Sequence, residues 1–224
     1  PTPAQQEETN RSMLRAYRSD VIQQIKDFDW DFDDNGNEQL AEMFREVKMY
    51  VFNFLMSAVN KDDHRPYWLT LLGPSETGKT HLAHAIYRFF KQHIETTFVP
   101  VNGYDKKQIY QRTGEFIMAS ETGKDSLNMH GLLKRINTAD LLIIDELDPH
   151  VSRIEKDQIC KLMSWRAGAG QNPFRWTVIT SNLTRQQVAD EFDPRIASRL
   201  RRESNVVIEL PNDLQAFLDR SEGV

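Results

Sequence analysis

Gly73-Pro74-Ser75-Glu76-Thr77-Gly78-Lys79-Thr80 is the stretch that decides the fold. It matches the spacing G-x-x-x-x-G-K-[ST] in full. An apolar run, Tyr67–Leu72, precedes it, and the helical pattern of residues 80–92 follows. Glycines at both ends let the backbone wrap closely around a phosphate, so that N–H groups and a helix N-terminus face negative charge. In that geometry Lys79 reaches the β- and γ-phosphates of ATP, and the Thr80 hydroxyl is a ligand for Mg²⁺. All eight residues, Gly73 to Thr80, are therefore candidate nucleotide contacts.

A second stretch completes the first. Leu141-Leu-Ile-Ile-Asp145-Glu146 is a buried-strand pattern with acids at its C-terminal end, 66 residues after Lys79. Asp145 suits the Mg²⁺ shell. Its neighbour Glu146 suits a general base that orients and deprotonates the attacking water. Thr177-Val-Ile-Thr-Ser-Asn182 is another strand with a polar amide at its end, and Asn182 is suited to sensing the γ-phosphate or that water. Then Asp193-Pro-Arg195-Ile-Ala-Ser-Arg199-Leu-Arg-Arg202 gathers four arginines on one short segment. An arginine delivered to a neighbour's γ-phosphate stabilises transition-state charge. Arg199 is the first candidate for that role and Arg195 the second.

Outward from these motifs, short apolar runs alternate with helical patterns. Strands are expected at 67–72, 97–101, 141–145, 177–180 and 206–210, and helices at 80–92, 128–136, 152–167 and 185–192. Continuous apolar runs are what parallel strands buried on both faces require. The alternation predicts an α/β three-layer sandwich around a parallel five-stranded sheet. Two of the helices open with capping boxes, Ser152 with Glu155 and Thr184 with Gln187. Upstream, Leu40, Met43, Phe44, Val47, Tyr50, Val51, Phe54 and Leu55 form one apolar face of a strong helix. An earlier helix is expected from Asn10, its N-cap, to about Phe28, with residues 1–9 disordered.

Composition bounds what such a domain does. At 224 residues, 39% apolar and 27% charged, the chain has an ordinary globular balance. No apolar run approaches the roughly 20 residues of a membrane span, and no secretory signal is visible, which points to the cytoplasm. Cys160 is the sole cysteine, which excludes disulfide frameworks and multi-cysteine metal sites. The net charge is −5, and residues 1–46 carry 11 acids against 5 bases. DNA binding by bulk charge is excluded, so any nucleic-acid contact must be a local patch or belong to an assembly.

In order and spacing, the four motifs resemble those of the AAA+ ATPases, from about Leu40 to Leu210. More narrowly, "YWLTLLGPSETGKTHLAHAI", "ADLLIIDELD", "VITSNLT" and "DPRIASRLRR" are similar to the DnaC/DnaI helicase-loader group and its relative IstB, a transposition helper. The resemblance implies ATP-dependent homo-oligomers, Arg199 as the finger completing a neighbour's site, and Arg195 close to the same interface. It implies a replicative hexameric helicase as partner, docked through residues 1–37. It also implies single-stranded DNA contact through a helical insertion, here 103–135. That segment interleaves Lys106, Lys107, Arg112, Lys124, Lys134 and Arg135 with Tyr104, Tyr110 and Phe116, the mixture that single-strand binding uses. The alternatives are an IstB-like helper on duplex DNA with a transposase, and a nucleotide-gated adaptor that hardly hydrolyses ATP.

Two departures stand out. Glu76 occupies a position where the family has a small residue, which brings an extra carboxylate near the phosphates. Only 14 residues follow Leu210, too few for a C-terminal lid domain, so ATP binding is expected to couple to assembly. The expected organisation is an acidic N-terminal segment (1–37), the ATPase domain (38–210) and a tail (211–224). Finally, Asp31-x-Asp33-x-Asn35-Gly36 with Glu42 fits an EF-hand loop spacing. Glu38 at the normally apolar eighth position and the lack of a pairing second hand favour an acidic linker over a Ca²⁺ site.

Overall fold

The computed structural model describes residues 2–28, 38–60, 67–94, 116–118, 139, 141–147, 161–164, 166, 176–191, 194–201 and 205–210. Helices α1 (Pro3–Lys26) and α2 (Glu38–Asn60) precede β1 (Trp68–Leu72). Helix α3 (Lys79–Phe89) follows and runs into a π-helical turn, Phe90–Ile94. Next come β2 (Phe116–Met118), β3 (Leu141–Ile144), β4 (Trp176–Ser181), α4 (Arg185–Glu191), α5 (Pro194–Leu200) and β5 (Asn205–Glu209). The described strands pair in the order β2-β3-β4-β1-β5, every pairing parallel.

Each central strand divides its side chains between two cores, as a period of two demands. Leu69 and Leu71 of β1, Leu141 and Ile143 of β3, and Trp176 and Val178 of β4 face the cluster built from α2 and α3. Trp68, Leu72, Leu142, Ile144 and Ile179 face the other, which holds Met163, Val188 and Leu200. With both faces covered, these strands need no polar alternation, and the three-layer α/β expectation holds. A parallel arrangement also gathers the C-terminal ends of β1, β3 and β4 at one edge of the sheet, where the motifs lie.

Most of the expected elements are found within a residue or two. Helix α2 covers the predicted span, with Val47, Val51, Phe54 and Leu55 buried. The Thr184–Gln187 capping box forms: Gln187 N donates to Thr184 Oγ1 at 3.2 Å, and Thr184 N to Gln187 Oε1 at 2.9 Å. The box at Ser152, the strand at 97–101, the helix at 128–136 and the segment 211–224 lie outside the described residues. So do residues 31–37 of the EF-hand spacing; Glu42 itself pairs with Arg45 at 2.5 Å.

Two expectations are corrected. Residues 2–9 are not disordered and Asn10 is not a cap. Helix α1 starts at Pro3 with Thr2 as N-cap, whose hydroxyl accepts from Gln5 N at 3.3 Å while Gln5 Oε1 accepts from Thr2 N at 2.8 Å. Proline at N1 has no N–H to leave unsatisfied, so the short polar start supports a helix that apolar periodicity cannot reveal. Among the described side chains, Val21 and Ile25 anchor the C-terminal part of α1, and just beyond it Phe28 pairs edge-to-face with Phe89 at 5.6 Å. The second correction concerns the region expected to be a helical insertion. Phe116–Met118 within it is a strand, in parallel register with Leu141–Ile143.

A buried arginine ties the base of the sheet together. Arg166, 1% exposed, donates to Thr177 Oγ1 at 3.0 Å, Ala139 O at 2.9 Å and Trp176 O at 2.8 Å. These bonds join Arg166 to the N-terminal ends of β3 and β4. Arg166→Leu strands the two carbonyls without their donor, each loss carrying a desolvation cost of about 1–3 kcal/mol. The variant is expected to unfold at distinctly lower urea concentration with an unchanged slope of the transition, as equilibrium denaturation will show.

Candidate active site

At the C-terminal edge of the sheet the chain turns sharply out of β1 and enters α3. Gly73 has φ 129°, and a Cβ there would lie 2.5 Å from the Leu210 carbonyl oxygen. No other residue fits. The same place is pinned by Gly73 N donating to Leu183 O at 3.2 Å and Leu210 N donating to Leu72 O at 2.8 Å. Gly78 supplies the second left-handed step, φ 78°, as the N-cap of α3. Glycine enters this conformation without the Cβ penalty, so the loop closes and the first N–H groups of α3 open onto a cavity.

That cavity, about 550 Å³, is lined by loop residues Ser75, Glu76, Gly78, Lys79 and Thr80, with Glu146, Thr180 and Asn182 facing them from β3 and β4. The ammonium of Lys79 donates to Gly73 O at 2.9 Å, to Thr77 Oγ1 at 3.2 Å and to the Pro74 carbonyl. Thr77 is buried and its hydroxyl donates to Pro74 O at 3.0 Å, which braces the loop from inside. Burial pushes the Lys79 ammonium below its ordinary range, while the negative charges of Asp145 and Glu146 pull it back up. The cavity thus holds a desolvated cation beside a helix N-terminus, with Glu146 on its far wall and Asp145 hydrogen-bonded to the lining residues Thr80 and Thr180. Such a combination suits a polyanion.

Beyond the loop, Thr80 Oγ1 donates to Asp145 Oδ1 at 3.0 Å, across 65 residues of sequence. Thr180 Oγ1 donates to the same oxygen at 2.6 Å and accepts from Glu146 N at 2.8 Å. Leu147 N donates to Thr180 O at 2.8 Å, and Ser181 Oγ donates to Leu147 O at 2.8 Å. Glu146 has φ 54°, the left-handed region, and its exposed side chain lines the cavity.

The donor set fits a hard divalent cation. Thr80 lines the cavity, and the Asp145 carboxylate lies beside its hydroxyl, so the two offer adjacent oxygen ligands. No group of three or more His, Cys, Asp or Glu side chains exists among the described residues. A cation held there would need further oxygen ligands from outside the protein, which suits Mg²⁺.

The structure therefore brings Gly73, Pro74, Ser75, Glu76, Thr77, Gly78, Lys79, Thr80, Asp145, Glu146 and Asn182 to one place. Arg195 and Arg199 lie on α5. Arg195 is exposed, and the Arg199 side chain lies outside the described residues. Two residues that line the cavity escaped the sequence reading, His81 and Thr180. The position of Thr180, two residues before Asn182 on the same strand, was the available signal.

Glu76 is the other described non-glycine residue in the left-handed region, at φ 65°. Its Cβ makes that conformation unfavourable, by about 1–2 kcal/mol. Glu76→Gly removes the penalty and is expected to raise the stability of the protein by about 1 kcal/mol, as chemical denaturation will show.

Comparison with known proteins bears on the same region. The sequence profile of the AAA family, the ATPase family associated with various cellular activities, matches residues 69–209. Three solved structures are similar. DnaI has a TM-score of 0.49 at 18% identity, covering 80% of this chain and 88% of its own. AMPPCP-bound DnaA from Aquifex aeolicus has a TM-score of 0.51 at 17% identity, covering 85% of this chain and 52% of its own. DnaA bound to AMPPCP and single-stranded DNA has a TM-score of 0.50 at 17% identity, covering 88% and 53%. The chain spans about half the length of these DnaA chains. No curated protein matches the sequence.

Proposed function

This chain belongs to the AAA family of ATPases, and on that premise we propose that it is an ATP-hydrolysing helicase loader of the DnaC/DnaI kind. The observation that carries the ATPase reading is the 3.0 Å contact between Thr80 and Asp145, which brings the loop and the acidic strand end to one cavity with Lys79 and Glu146. The N-terminus of α3 and the Lys79 ammonium bind the β- and γ-phosphates and hold the γ-phosphorus in place. Mg²⁺ bound by Thr80 and Asp145 would neutralise phosphate charge. Glu146 orients a water for in-line attack and takes its proton as the new P–O bond forms. The bond to the bridging oxygen breaks, leaving ADP and phosphate. Asn182, at the end of β4 and on the cavity wall, donates to the γ-phosphate or the water.

Arg199 of a neighbouring subunit is proposed to complete the site, with Arg195 close by at the interface. The exposed position of Arg195, away from the cavity lining of its own chain, supports a role in assembly. The loader reading rests on the sequence resemblance around Ser198-Arg199-Leu200 and on the acidic N-terminal segment, 1–37, suited to docking a hexameric helicase. The ATPase domain is proposed to span 38–210. The 103–135 segment, rich in bases and aromatics, is the proposed contact for single-stranded DNA, a ligand with which DnaA has been solved. Among the described residues no helix is long and apolar enough to cross a membrane, and the proposed site of action is the cytoplasm of a bacterial or phage-infected cell.

Turnover tests the reading. Glu146→Gln is expected to keep ATP binding and lose hydrolysis by roughly 100-fold or more; hydrolysis at the parent rate would remove Glu146 from its role. Arg199→Ala and Lys79→Ala are each expected to be inactive, and mixing them should restore part of the turnover, because one intact shared site can form. A steady-state phosphate-release assay reads both. Capture of a hexameric helicase on the immobilised full chain supports the loader assignment, and capture of a transposase replaces it with the helper alternative.

A further inference from the structure

We infer that Thr180 is a positioning residue for both acids of the active site, fixing the Asp145 carboxylate and turning Glu146 into the cavity. The inference deepens the proposed ATPase reading and rests on it for the reaction, though not for the geometry.

A hydroxyl has a single proton, so the two contacts of Thr180 Oγ1 define its orientation. It accepts from Glu146 N at 2.8 Å and must therefore direct its proton to Asp145 Oδ1, 2.6 Å away. Thr180 is 1% exposed, so water does not compete for either bond. The other hydroxyl on Oδ1 belongs to Thr80, which is exposed on the cavity wall and is itself a proposed metal ligand. Thr180 is thus the buried partner of Asp145, and among the described residues that carboxylate is its charged contact.

The second half of the device is the backbone. β3 and β4 stay in register up to Ile144↔Ile179. The next residues would run straight on and carry Glu146 along the sheet edge. Instead Glu146 adopts φ 54°, a conformation that a β-carbon disfavours. Its N–H on Thr180 Oγ1, the Leu147 N–H on Thr180 O and the Ser181 hydroxyl on Leu147 O hold it there. Strain of this kind persists only where its surroundings over-determine it. The Thr180 hydroxyl bonds to both acids, through the carboxylate of Asp145 and the amide of Glu146.

Thr180→Val keeps the side-chain shape and removes the hydroxyl; Thr180→Ser keeps the hydroxyl. In the full chain, the valine variant is expected to lose roughly 10- to 100-fold in kcat for ATP with KM changed less than about threefold, because a small misplacement of the reacting groups is costly. The serine variant should stay within about threefold of the parent. Independently, with no nucleotide added, the Glu146 amide should exchange its hydrogen roughly tenfold faster in the valine variant and at the parent rate in the serine variant. Parent-like kcat in the valine variant, an equal loss in valine and serine, or unchanged Glu146 exchange in the valine variant each overturns the inference. If Glu146→Gln hydrolyses ATP as the parent does, the ATPase assignment of Glu146 falls, and the exchange measurement alone decides the positioning. Should the valine variant fail to fold, Thr180→Cys, a poorer donor of similar size, is read by the same measures.

Discussion

Parallel pairing of β1, β3 and β4 is the constraint on which the rest of the structure depends. Register Leu72↔Ser181 on one side of β4 and Ile144↔Ile179 on the other brings three strand ends to the same height. Only then do Thr80, Asp145 and Thr180 come within hydrogen-bond distance, though they are 65 and 35 residues apart in sequence. A shift of one residue in any pairing would turn each strand's side chains to the opposite core. It would also separate the loop from the acids. The parallel register of the strands thus sets the geometry of the cavity as well as the fold.

Strain is concentrated at that edge. Gly73, Glu76, Gly78 and Glu146 are the described residues with positive φ, and all four border the cavity or the turn that forms it. Glycine carries two of them without penalty. The other two carry carboxylates into or towards a site meant for a polyanion. For Glu146 the left-handed turn brings the side chain to the cavity lining, and β4 holds its amide there. Glu76 carries its carboxylate on the same cavity lining, from the loop side rather than from the sheet.

The cation at the centre balances opposing demands. Lys79 is 6% exposed, and burial alone favours its neutral form. Loop carbonyls from Gly73 and Pro74 and the acids on β3 keep the ammonium in place. The same residues that hold the cation shape the loop around it, so anion affinity and loop conformation are one property. Arg166 plays a comparable part at the far end of the sheet, where carbonyls rather than carboxylates receive a buried guanidinium.

Much of this was legible in the sequence. The loop motif, the acid pair after four aliphatics and the amide after β4 mark the site because each obeys a local rule of spacing, and apolar runs mark buried parallel strands because burial on both faces removes alternation. Helix α2 and the Thr184 cap follow from periodicity and side-chain chemistry within a few residues. What the sequence could not display was any property created by contact between distant segments. The start of α1 at Pro3, the strand at Phe116–Met118, the staple of Arg166 and the role of Thr180 all depend on such contacts or on caps without an apolar signature. A threonine two residues before Asn182 looks like any strand residue until β3 is laid beside β4, because hydrogen bonds between strands are set by register and not by sequence distance. Local chemistry determined which groups this protein carries; tertiary pairing decided which of them touch.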